Sequence, residues 1–124
     1  MLVRRALLNM SEKLKADLQL KYDMIDRIRV DLQLLPDSPF ILALRQRALS
    51  GTAEHGNDWI ERNNIHDARE ETLDAVMYSL FAEATQGGSA LHYQAAIKNL
   101  YAAWVLLTSP HLGVQEKGGK EKRK

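Results

Sequence analysis

Residues 11–35, SEKLKADLQLKYDMIDRIRVDLQLL, decide the fold class. No glycine or proline interrupts them, and Leu14, Leu18, Tyr22, Ile25, Ile28, Leu32 and Leu35 recur at steps of three or four. That is the period of one helical face; the alternation of a half-buried strand is nearly absent along the chain. The spacing predicts a long helix over 11–35. Ser11 is placed to cap it, with Glu12 and Asp17 near the positive end of the helix dipole. Its length suits an element that packs on more than one neighbour or on a second copy of the chain.

Pro36-Asp37-Ser38-Pro39 stops that helix and opens the next, with Ser38 as N-cap and Pro39 at the first helical position. The second helix is expected from Phe40 to about Leu49, closed by Ser50-Gly51. A polar, turn-rich loop follows through Asn64, with one helical turn around Trp59. Trp59 reads as an anchor of that loop or, alternatively, as a surface on which a ligand stacks. Asn64 is expected to cap a third helix, Ile65 to about Thr85, with Asp67 reaching back as in a capping box. Gly87-Gly88 ends it, Ser89 caps a fourth helix from Ala90 to Thr108, and Ser109-Pro110 stops the fourth. In the fourth, Tyr93, Ile97, Leu100, Tyr101, Trp104 and Leu107 form a row suited to a core or an oligomer contact. Short connections favour antiparallel neighbours. The expectation is an all-α helical bundle of about four main helices, a single domain over 1–112.

The 124 residues are 45% apolar and 27% charged, enough to build a core. There is no cysteine, which excludes disulfides, thiolate zinc sites and cysteine nucleophiles. No apolar run reaches the roughly 18 residues needed to span a bilayer, and the basic start has no apolar stretch of leader length. A cytoplasmic protein without membrane attachment is expected. The net charge of +1 is uneven. From residue 113 onward five basic residues face two acidic ones in a glycine-rich run, read as a disordered basic tail over 113–124. The remaining body is slightly acidic, so duplex nucleic acid is an unlikely partner. The histidines lack zinc spacing, and no phosphate loop of the Walker type is present.

The chemistry-bearing feature is the third helix. Advancing about 100° per residue from Ile65 gathers Leu73, Val76, Met77, Leu80 and Phe81 into one apolar stripe. Glu70, Asp74, Asp67 and Glu71 share the flank beside it, roughly 140° to 240° round. Pairs four apart, Asp67/Glu71 and Glu70/Asp74, repel by about 0.2–0.5 kcal/mol each. The helix N-terminus offsets this for Asp67 and Glu70, but not for Asp74 in the third turn. Such a face is either solvated and paired with basic side chains, or it holds a hard divalent cation through its carboxylate oxygens.

Glu71-Thr72-Leu73-Asp74 resembles the Glu-x-x-Asp half-motif of the all-α NTP pyrophosphohydrolases, the MazG-like superfamily. The stretches His55–Trp59 and Asn64–Tyr78 also look like small MazG-like proteins of bacteriophage genomes. The resemblance covers about residues 40–85. It implies a helical homo-oligomer that uses Mg²⁺ or Mn²⁺ to release pyrophosphate from a nucleoside triphosphate. On that basis Glu71, Asp74 and Asp67 are candidate metal ligands and Glu70 the candidate water-orienting base. The sequence departs from the family on the preceding helix, where Ile41–Leu49 carries Arg45 and Arg47 and no acid in place of a second carboxylate pair. That departure supports the alternative, a non-catalytic helical oligomerisation or protein-interaction module. There Arg45 or Arg47 would pair with the acidic face, and the long first helix and aromatic fourth helix would be the contact surfaces.

Overall fold

The computed structural model describes residues 10–109; the first nine residues and the basic tail lie outside the described part. The element order is α1 (Glu12–Asp31), α2 (Pro39–His55), a short 3-10 helix (Asp58–Glu61), α3 (Asn64–Gln86) and α4 (Ala90–Thr108). The fold is all-α with four main helices, as the sequence predicts, and the described residues contain no strand. The chain divides into two compact units, Met1–Ile60 and Glu61–Lys124.

In the first unit α1 and α2 pack as a hairpin. Ser11 caps α1 by accepting from the Leu14 amide at 3.2 Å. The helix ends at Asp31, four residues short of expectation, because the chain turns through a Schellman arrangement. The Gln33 amide donates to the Val30 carbonyl and the Leu34 amide to the Arg29 carbonyl, both at 3.0 Å. This requires a positive φ of 57° at Gln33, a conformation glycine would hold without a side-chain clash. Ser38 occupies the N-cap position of α2 as expected, but its hydroxyl makes no capping bond.

Helix α2 runs six residues beyond its expected end and passes straight through Ser50-Gly51. The reason lies in packing: Leu49 and Thr52 are both buried, so tertiary contact holds the helix past a residue pair that favours termination. It stops at Gly56, whose φ of 64° supplies the turn. Met10, Leu18 and Leu49 form the buried cluster, flanked by Leu14, Tyr22 and Ala48, and Ile41 is also fully covered.

In the second unit α3 and α4 form an antiparallel hairpin. Its N-cap is Asn63, one residue earlier than expected, which accepts from the His66 amide at 3.0 Å. Asp67 does not reach back in a capping box; Arg62 Nε donates to it at 3.0 Å instead. Helix α4 begins after Ser89 and ends at Thr108, where the sequence places both limits. Arg69 Nε donates to the Leu107 carbonyl at 2.7 Å, joining the start of α3 to the end of α4. At the other end the Tyr93 hydroxyl donates to the Gly87 carbonyl at 2.8 Å. No residue of α3 or α4 is fully buried.

Candidate functional site

Two places concentrate polar or accessible chemistry, one in each unit. In the first, Asp17 on α1 is buried and accepts from Trp59 Nε1 at 2.9 Å. Its other oxygen faces the Lys21 ammonium at 3.0 Å. Lys21 Nζ also donates to Thr52 Oγ1 at 2.6 Å, and Thr52 is completely buried. Helical spacing explains the set: Asp17 and Lys21 stand four apart on α1, beside the Leu14–Leu18–Tyr22 stripe, so both point at α2.

A lysine touching a threonine hydroxyl is a familiar nucleophile geometry, but this one has a different use. Thr52 is completely covered, so its hydroxyl lies beneath Lys21 rather than at a surface that a substrate reaches. The set is a latch that fastens the 3-10 segment to the hairpin. Trp59 is tied to α1 through its indole N–H. Asp17, Lys21 and Thr52 are not among the sequence-derived candidates. In sequence Asp17 reads as a helix-start acid, and only the unexpected continuation of α2 brings Thr52 to Lys21 beside it.

The Arg45 guanidinium lies 4.1 Å above the Tyr22 ring, a cation–π contact within the first unit. Arg47 is exposed.

In the second unit Glu70, Glu71 and Asp74 are all exposed and make no hydrogen bond or ion pair among the described residues. Asp67 is half-buried and engaged by Arg62. The helix packed against α3 offers no complement, since α4 contains no aspartate or glutamate. Among the described residues no group of three or more histidines and carboxylates is placed to hold a metal ion. Glu70, Glu71 and Asp74 lie exposed on one helix, and Asp67 is held by Arg62.

Beside the acidic flank lies a feature of opposite character. An open groove of about 320 Å³ runs between the helices, lined by Leu73 and Val76 of α3 and Ile97, Leu100, Tyr101 and Trp104 of α4. Helical spacing extends this apolar floor through Met77 and Leu80 on one side and Val105 on the other. Tyr101 is 65% exposed, Met77 47%, Leu73 44%, Leu80 43% and Val105 40%. Of the row that the sequence assigns to core or oligomer contact, Tyr101 is exposed, while Tyr93, Ile97, Leu100, Trp104 and Leu107 are largely but not fully covered.

No described helix is long and apolar enough to cross a membrane. Comparison with known proteins returns nothing: no family model, curated protein or solved structure matches this chain.

Proposed function

We propose that this protein is a non-catalytic helical interaction module whose docking surface is the apolar face of the α3–α4 hairpin. One observation carries the reading: α4, the most apolar of the described helices, and its partner α3 contain no fully buried residue, and they expose large side chains on both sides of a shared groove. Contiguous apolar surface of this kind, bordered by charged residues, is the usual mark of a surface that another molecule covers. Grooves between helices accept amphipathic helices at i, i+3 and i+4 positions, so the fitting partner is helical.

The test is to charge the face and read the fold. In a docking surface, Tyr101→Lys and Leu73→Lys leave the helical content measured by circular dichroism unchanged at room temperature. Collapse of the helical signal in both would make this face part of the chain's own core and remove the reading.

A second reading follows from the three unpaired carboxylates, Glu70, Glu71 and Asp74, which have the donor chemistry of a Mg²⁺ or Mn²⁺ ligand set on an otherwise incomplete site. It is the metal-dependent nucleotide hydrolase suggested by the Glu71–Asp74 motif. A cation that binds only the folded chain raises its unfolding midpoint by mass action. A rise in millimolar Mn²⁺ that disappears in Asp74→Asn supports this reading, and no shift in either protein removes it.

A further inference from the structure

We infer that residues 57–62, which cross the boundary between the two compact units, form a strap that lifts off α1 while the α1–α2 hairpin beneath it stays folded. Trp59 is its clasp.

The first argument is how the segment is bounded. The Gly56 amide donates to the Thr52 carbonyl at 2.9 Å, so α2 is closed before the segment begins. Beyond it, the Asn63 side chain accepts from the His66 amide and the Asn63 carbonyl from the Asp67 amide, both at 3.0 Å. Each helix thus completes its own end, and the segment can move without unwinding a turn of either. Inside it the Ile60 amide donates to the Asn57 carbonyl at 3.3 Å, a bond that travels with the segment. Gly56 stands at one end with a φ of 64°, and a residue without a side chain absorbs backbone rotation there most freely.

The second argument is what stays behind. Trp59 Nε1 donates to Asp17 at 2.9 Å, and a buried carboxylate stripped of every partner would oppose release. Asp17 is not stripped. Lys21, one turn along the same helix, lies 3.0 Å from its other oxygen and donates to Thr52 of α2 at 2.6 Å. Neither contact involves the strap, so the ion pair and the bond between α1 and α2 persist when the indole leaves. Water then replaces the indole N–H as donor to Asp17, and the Met10, Leu18 and Leu49 cluster keeps its members. One unit therefore has two tiers of stability, a link clasped through an aromatic side chain and a hairpin held by packing and a buried ion pair. Segments of the first kind open by themselves, at a lower free energy than the elements below them. The strap decides whether the chain that leads into the second unit is fixed to α1 or free of it.

Hydrogen exchange of the full wild-type chain, followed by NMR, separates the tiers. The Trp59 indole proton, assigned by its loss in Trp59→Phe, reports the clasp; the amides of Leu18 and Leu49 report the hairpin. The indole is expected to be protected, relative to a free peptide, but at least about tenfold less than those amides. Low urea should leave its exchange nearly unchanged and speed that of the amides, because lifting the strap exposes little surface. Equal protection with the same urea dependence would mean that the strap leaves only when the hairpin unfolds, and it overturns the inference. An indole proton that exchanges as fast as in a free peptide denies the clasp and overturns it equally. Trp59→Ala supplies the second readout: Leu18 and Leu49 keep their protection, whereas Asp17→Ala, which strands Lys21, lowers it. Loss of protection in both variants places Trp59 in the hairpin's own fold and sinks the strap.

Discussion

The two hairpins differ in a way their compositions do not foretell. Helix α1 is rich in charge, yet its hairpin with α2 buries Leu18, Ile41, Leu49 and Thr52. Helix α4 has a single lysine and no acid, yet its hairpin with α3 buries nothing completely. What separates them is a third element. Met10 covers the first hairpin beside Leu18, and the 3-10 segment is drawn onto it through Trp59. Two helices alone present a seam and two open sides; enclosure requires something laid across the seam. Both units leave large apolar side chains exposed, Val30, Leu35 and Phe40 in the first and Leu73, Met77 and Tyr101 in the second; the first differs in having a third element laid on part of its seam among the described residues.

The strongest way to break that contrast is to open the closed hairpin at its latch. Asp17→Ala leaves the Lys21 ammonium without its carboxylate and the Trp59 N–H without its acceptor. The expected loss is about 3–5 kcal/mol, seen as a thermal midpoint lower by on the order of 10 °C or more. Next comes Leu18→Ala, which empties a fully covered position and is expected to cost about 2–5 kcal/mol in a denaturant titration. Gln33→Gly works in the opposite direction: it relieves the left-handed residue after α1 and should stabilise by up to about 1 kcal/mol. The smallest effect sharpens the comparison from the other side. Leu106 is 68% exposed on the flank of α4 away from the groove, so Leu106→Ala should change stability by no more than about 0.5 kcal/mol. If Leu18→Ala and Leu106→Ala were equally costly, the distinction between a closed and an open hairpin would not stand.

Helix number and most limits are legible in the sequence because they depend on local signals. Ser11, Ser89, Gly87 and Ser109 act within a few residues, and each stands at the helix end where the sequence puts it. The errors arise where a distant contact overrules a local one. Ser50-Gly51 is a plausible helix end until Thr52 is seen beneath Lys21, and Asn63 rather than Asn64 caps α3 although both have the same side chain. The early end of α1 is local but hard to read, because glutamine is an uncommon choice for a left-handed position. The acidic face of α3 is also visible in sequence, and Glu70, Glu71 and Asp74 are exposed on it. Whether carboxylates converge depends on the neighbouring helix, and α4 brings none. The apolar row of α4 is legible as well; its openness is not, since periodicity identifies a face without saying what covers it.

The chain has two tryptophans, and each unit holds one. Trp59 has its indole N–H on a buried carboxylate, and Trp104 stands in the wall of an apolar groove. Their surroundings are different enough for their emission to report separately. Trp104→Phe leaves a fluorophore whose quenching follows release of the latch alone, and Trp59→Phe leaves one that shifts when the groove is filled. The molecule therefore carries its own pair of optical gauges, by which opening of the first hairpin and occupation of the second can be timed independently.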